Sequence, residues 1–259
     1  MIDSLYIGAT GMQAQQLNVD VIANNLANVN TAGFKKNRVT FEDSFYQVAR
    51  STLDAQNLQQ NQVVLGMGTL VSSNSKSFAQ GEIKATESPL DLAIQGNGFF
   101  EVVLPDGRSA YTRYGSLKVS ADGYLSTSSG YQLKQDIQVS ADILEVVIDK
   151  QGKVSGRSAN ENELVELGQI ELTNFANPEG LDPIGENLYL ATSAAGQISS
   201  DKAGENGFGS LSQGYLESSN VKLAEEMVNL VLAQRAYELN AKLIQASDEM
   251  LSISNNLRR

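Results

Sequence analysis

Val221-Lys-Leu-Ala-Glu-Glu-Met-Val-Asn-Leu-Val-Leu-Ala-Gln-Arg-Ala-Tyr-Glu-Leu-Asn-Ala-Lys-Leu-Ile-Gln-Ala-Ser-Asp-Glu-Met-Leu-Ser-Ile-Ser-Asn-Asn-Leu-Arg-Arg259 decides the fold class. It holds neither Gly nor Pro, the two residue types that punctuate turns. Its apolar positions recur at heptad spacing: Leu223, Met227, Leu230, Tyr237, Ile244 and Leu251, with Gln234, Ala241 and Asp248 filling the register. Asn220 is a suitable N-cap, Glu225 and Glu226 suit the positive end of a helix dipole, and Arg258 and Arg259 suit its negative end. A helix of this extent is about 55 Å long at 1.5 Å per residue. One small β domain cannot cover that length, so its apolar stripe must meet another helix.

The other end of the chain supplies one. Leu5, Ala9, Met12, Val19, Ala23 and Leu26 repeat the four-and-three spacing, broken only by Gln16, and predict a helix over Ser4–Val29. Gly8 and Gly11 weaken its first turns by about 1 kcal/mol each relative to Ala. Gly33 is placed as a left-handed cap. Two helices from the two ends form an intramolecular hairpin, or a hairpin that also offers apolar stripes to neighbouring copies. A pair alone leaves its seam poorly covered, which favours assembly.

Between the ends the chain changes character. All four Pro lie within Pro89–Pro183, and nineteen of the 22 Gly lie within Gly66–Gly214. Short apolar runs at Leu92–Gly96, Gly98–Leu104, Ser116–Val119, Leu144–Ile148 and Gly168–Leu172 predict strands. Pro105-Asp-Gly and Ala121-Asp-Gly should close hairpins. This spacing predicts an all-β sandwich or barrel in the middle, and an α+β class for the whole. Residues 46–75, rich in Gln and Asn, carry no strong periodicity and predict a loop or extended arm.

Composition narrows the function. The 259 residues include no Cys, no His and no Trp. Disulfides, thiolate sites, the commonest general base and the commonest metal ligand are therefore absent, and a carboxylate pair or a Lys is what remains for catalysis. A structural, non-enzymatic role without catalytic residues, cofactor or metal is expected. The net charge is −11 at pH 7; residues 41–220 carry −12, the first forty carry +1 and residues 221–259 are neutral. An acidic middle disfavours nucleic acid and favours solubility. The first thirty residues have no basic region followed by an unbroken apolar run, so no cleaved signal peptide is expected, and no stretch approaches a membrane span.

Local motifs have plain explanations. Gly96-Asn97-Gly98 lacks the third glycine and following helix of a phosphate loop. Glu82, Glu87 and Asp91 match no calcium-loop spacing and suit a solvated surface. Asn24, Asn25, Asn28 and Asn30 are four amides in seven positions of a helix end. They mark either fraying or buried amides that fix helix register.

Those amides also carry a resemblance. Ala23-Asn-Asn-Leu-Ala-Asn-Val-Asn-Thr-Ala-Gly-Phe-Lys35 resembles the N-terminal signature of the axial proteins of the bacterial flagellum, the rod and hook subunits. Asn24, Asn25, Leu26, Asn28, Gly33 and Phe34 are its signature residues. Met1–Tyr6 and Gly11–Gln16 resemble distal rather than proximal rod subunits, although Tyr6 stands where that pattern has Trp. Asp91–Phe100, Tyr111–Ser116, Ile184–Tyr189, Gln213–Val221 and Ala233–Glu238 match the rest of the family in order.

The resemblance implies a homo-oligomeric helical polymer: a rigid, hollow drive shaft that transmits torque and lines an export channel. It implies proximal rod subunits and hook protein at its two ends, basal-body rings around it, and export by the flagellar type III apparatus without a cleaved signal. The terminal helices, 1–30 and 221–259, would form an inner coiled-coil domain. Residues 31–75 and 205–220 would form a connecting layer, and 76–204 an outer β domain. The arm residues Tyr46, Gln47, Gln59, Gln60, Gln62 and Val63 would stiffen the shaft by bridging neighbours. The alternative from another class is a monomeric acidic β module that binds cell-wall glycan through a helical anchor.

Overall fold

A computed structural model describes residues 2–49, 63–140, 142–158 and 164–256. The chain is α+β and divides into two compact units. The first comprises residues 1–27, 37–75 and 222–259, and the second residues 28–36 and 76–221.

The first unit contains helix α1 (Ile2–Ala27), helix α2 (Leu223–Asn256) and strands β1 (Asn37–Asp43), β2 (Tyr46–Ala49), β3 (Val63–Gly66) and β4 (Thr69–Lys76). The helices pack on each other, and β1 packs on α1. The four strands form two two-stranded sheets. β1 lies beside β4, and β2 pairs antiparallel with β3 from Tyr46↔Gly66 to Ala49↔Val63. Ser44 N donates to Gly68 O at the join, and Ser72 Oγ donates to Glu42 Oε1 across it. The sequence predicts a loop or extended arm for 46–75; among the described residues three strands lie there, and residues 50–62 lie outside them. A ribbon paired along one edge, with both faces largely exposed, needs no apolar alternation, so periodicity could not reveal it.

Two predicted helix caps are corrected. α1 ends at Ala27, so Gly33 lies well beyond it. Gly33 does adopt a left-handed φ of +71°, and a Cβ there would sit 3.0 Å from Tyr114 Cα. The Asn220 side chain does not cap α2. It accepts from Lys36 N and donates to Ser77 O and Ala79 O.

The second unit is built of strands. β5 (Ile83–Ala85), β6 (Leu92–Gln95), β7 (Phe100–Val103), β8 (Ser109–Thr112), β9 (Leu117–Val119), β10 (Leu125–Thr127) and β11 (Gln132–Leu133) come first. β12 (Ile143–Ile148), β13 (Lys153–Ser158), β14 (Leu164–Gln169), β15 (Glu171–Phe175) and β16 (Asp182–Gly185) follow. β17 (Leu188–Leu190), β18 (Ile198–Lys202), β19 (Ser210–Gln213) and β20 (Tyr215–Glu217) complete it.

Seven strands form an open sheet in the order β16-β17-β8-β7-β11-β10-β9, rather than a closed barrel. Both predicted Asp-Gly turns close hairpins, β7–β8 and β9–β10. The single strand expected at Gly168–Leu172 is two. Ile170, fully buried, donates its N–H to Gly152 O and turns the chain from β13 toward β18. Leu92, Ile94, Phe100, Val102, Leu125, Leu133 and Leu172 centre the main core, each side chain contributing about 1.5–3 kcal/mol by burial. A second cluster joins Phe99, Tyr111, Phe175, Leu181 and Tyr189, with edge-to-face ring pairs.

Candidate functional site

In the first unit, small residues let α1 and α2 approach closely. A Cβ on Gly8 would lie 2.8 Å from Ile244 Cγ1, and one on Gly11 would lie 2.9 Å from Asn240 Nδ2. The buried residues of α2 are likewise short or polar: Glu226, Ala233 and Ser247. Large apolar side chains are left outside. Leu239 is 65% exposed, Leu232 62%, Val228 60% and Ile253 60%. Helix α2 therefore buries short or polar residues and presents its large apolar ones, the inverse of a helix that packs only within its own chain, while α1 buries Val21 and Ile22 as well as Ala14.

The predicted seam residues divide between these environments. Leu5, Met12, Val19 and Leu26 on α1, and Leu230, Ile244 and Leu251 on α2, are half-buried. Leu223, Met227 and Tyr237 are exposed. The heptad spacing of α2 continues on the buried side as Glu226, Ala233, Asn240 and Ser247, one position before the Met227 row. Apolar periodicity passes over that row because it contains no large apolar residue.

The signature residues serve the turn after α1. Asn25 is buried, and its amide holds the backbone of Asn37 at two points: Nδ2 donates to Asn37 O at 3.0 Å, and Asn37 N donates to Oδ1 at 2.9 Å. The amide thus closes a twelve-residue excursion of its own chain instead of pairing with α2. Leu26 is half-buried, and Asn24 is exposed on the last turns of the helix. Asn28 Oδ1 accepts from Thr31 Oγ1 at 3.1 Å.

The rest of the signature belongs to the second unit and surrounds a buried ion cluster. Gly33 N donates to Glu217 O at 2.8 Å, and Phe34 is buried beneath the Lys76 ammonium, which lies 5.2 Å from its ring centroid. Lys35, with no exposed surface, places Nζ 2.6 Å from Glu217 Oε1 and 2.8 Å from Ala79 O. Gly81 N also donates to Glu217 Oε1. Arg113 is 4% exposed, donates from Nη2 to Gly96 O, and stacks over Phe99 with its Nη1 3.6 Å from Glu217 Oε2.

Burial lowers the Lys35 pKa despite the attraction of Glu217, with Arg113 adding to the lowering. Burial likewise lowers Arg113 and raises Tyr189. Three charges held this tightly join the signature loop, the strand β20 and the turn before β9. Pattern reading missed Lys35, Arg113 and Glu217 as a set, because nothing in spacing signals partners 182 residues apart.

Of the arm residues, Tyr46 is 60% exposed, and its hydroxyl donates to Asp43 Oδ2. Gln47 pairs through its backbone with Leu65, and Val63 with Ala49. Gln59, Gln60 and Gln62 lie outside the described residues. Among the described residues no group of His, Cys, Asp or Glu is arranged to hold a metal, and no helix is long and apolar enough to cross a membrane.

Three sequence families match in chain order: "Flagella basal body rod protein" over residues 5–35, "Flagellar hook protein FlgE/F/G D1 domain" over 93–156, and "Flagellar basal body rod FlgEFG protein C-terminal" over 212–257. The chain is 46% identical to the flagellar basal-body rod protein FlgG of Borreliella burgdorferi, with both proteins covered completely. It is 45% identical to FlgG of Buchnera aphidicola (subspecies Schizaphis graminum) over 97% of this chain and 98% of that one. It is 40% identical to FlgG of Bacillus subtilis over the whole of both. These relatives give the glycan-binding alternative no support.

Proposed function

Because this chain belongs to the family of flagellar basal-body rod proteins, we propose that its helix pair is the polymerising element of a stiff shaft, with copies joined along their outward apolar faces. The chain is a structural subunit of the rod in the flagellar basal body, where it assembles with other rod and hook proteins. The observation that carries the finer reading is the inverted α2: Ala233 and Ser247 are buried, and Val228, Leu232, Leu239 and Ile253 are exposed, while Gly8 and Gly11 let α1 approach it closely. Exposing such a row along about 50 Å of helix is unfavourable in water and is relieved by association.

In that polymer the terminal helices form an inner coiled coil around an export channel, and the acidic second unit faces outward. The shaft spans the periplasm inside the basal-body rings, and its subunits arrive through the type III apparatus without a cleaved signal. Torque passes through the second unit without loosening it, because the buried Lys35–Glu217–Arg113 cluster cannot slide without stranding a charge. The β2–β3 ribbon and the arm beyond it stiffen the shaft by bridging neighbours.

Electron microscopy and sedimentation of the purified chain at neutral pH test this reading. Straight filaments should appear above a critical concentration, and Val228→Asp with Ile253→Asp should abolish them while leaving the monomer folded. A chain that stays monomeric at every concentration refutes it.

A further inference from the structure

A groove of about 480 Å³ runs between α1 and β4. Thr10, Gln13, Leu17 and Asp20 line it from the helix, and Leu70 and Val71 line it from the strand. Leu70 is 53% exposed and Leu17 36%. At about 100° per residue, the four helix positions occupy one face of α1. Gly8 and Gly11, which meet α2, occupy roughly the opposite face. The groove and the outward stripe of α2 are therefore different surfaces of one unit, and both leave large apolar side chains uncovered.

Both helices carry more acids than bases, α2 including Glu225, Glu226, Glu238, Asp248 and Glu249, but at the groove itself the charges are opposite: Asp20 lines it, and Arg235 and Lys242 flank the stripe. α1 carries Asp3 and Asp20 and no base. The bases of α2 are Arg235 and Lys242, one heptad apart along the edge of the row containing Leu232 and Leu239. Arg235 pairs with exposed Glu238, at 2.9 Å, a pair whose exchange costs little.

We propose that the groove seats α2 of a second copy. Leu232 and Leu239 of that copy pack against Leu17, Leu70 and Val71, and Arg235 and Lys242 lie beside Asp20. This rests on the self-assembly reading and says which surface meets which. A groove on one copy and a stripe on the next make a head-to-tail contact. Such a contact leaves a free groove at one end and a free stripe at the other, so it propagates into an open helical polymer instead of closing as a dimer.

The absence of Cys makes the test direct. Leu70→Cys and Leu239→Cys chains are prepared separately, polymerised alone and in a one-to-one mixture, and treated with a short bismaleimide. The mixture should give a crosslinked dimer, and neither chain alone should. Asp20→Lys should raise the critical concentration at least tenfold, and adding Arg235→Asp and Lys242→Asp should restore it. Filaments without the mixed crosslink, a Leu70→Cys chain that crosslinks to itself, or no rescue by the charge exchange would overturn the seat while leaving self-assembly standing. No polymer from the unaltered chain would overturn both.

Discussion

Lys35 Nζ and Glu217 Oε1 lie 2.6 Å apart with neither side chain more than 1% exposed, although 182 residues separate them in sequence. A buried pair of this kind is weak evidence for net stability, but removing one member strands the other. Lys35→Met should therefore destabilise the second unit by about 3–5 kcal/mol, whereas Lys35→Met with Glu217→Met should lose less than the sum of the single changes. Urea unfolding of the four chains of this cycle, under monomeric conditions, checks it. Additive losses would show that the two residues are not coupled.

The same lysine predicts a pH dependence. Its folded pKa lies below the ordinary 10.5 because burial opposes the charge. The unfolded chain thus binds the extra proton between the folded value and 10.5. The stability contribution is fully present above 10.5 and is lost as pH falls through the folded value. Relative to Lys35→Met, the unaltered chain should gain stability as pH rises toward 10.5, read from urea midpoints at intervals above pH 8. A relative loss over that window would reverse the sign and refute the assignment.

The close approach of the helices is equally exposed to test. Gly8→Leu and Gly11→Leu place atoms where Ile244 and Asn240 already lie. Each should destabilise the helix pair by about 1–3 kcal/mol despite a better intrinsic helix propensity. Circular dichroism at 222 nm through a thermal ramp reports the loss. A gain in melting temperature would mean that propensity outweighs packing here.

Asn25 should prove more sensitive than its place near a helix end suggests. Asn25→Ala leaves the part-buried Asn37 N–H and C=O without their amide partners, at roughly 1 kcal/mol for the lost hydrogen bonds. Hydrogen exchange at the Asn37 amide should accelerate at least tenfold. Unchanged protection there would show that the clamp does not hold β1 in place.

The arm has a mechanical signature. Deleting Tyr46–Val63 removes β2 and the start of β3 and leaves β1 and β4 intact. Filaments should still form, because the helices are untouched, but their persistence length in micrographs should fall several-fold. Straight, stiff filaments from the deleted chain would assign stiffness elsewhere.

What the sequence determined by itself was the class of structure. Heptad spacing at both ends, Gly and Pro confined to the middle, and Asp-Gly turns are local patterns set by backbone sterics and side-chain periodicity, and each reappears as α1, α2 or a hairpin. The absence of Cys and His narrowed the chemistry without any fold. Tertiary structure decided where those elements' surfaces went. Pattern reading favours large apolar residues, yet the helices approach closely at Gly8 and Gly11, against Ile244 and Asn240, because close approach depends on what is missing from a side chain. The two strand pairs of 37–49 with 63–76 were illegible because neighbouring backbone, rather than a buried face, holds them. Asn220 looked like a cap and instead ties Lys36 to Ser77 and Ala79, and Lys35 met Glu217 across most of the chain. Long-range polar partners carry no period, so only the folded chain could show them.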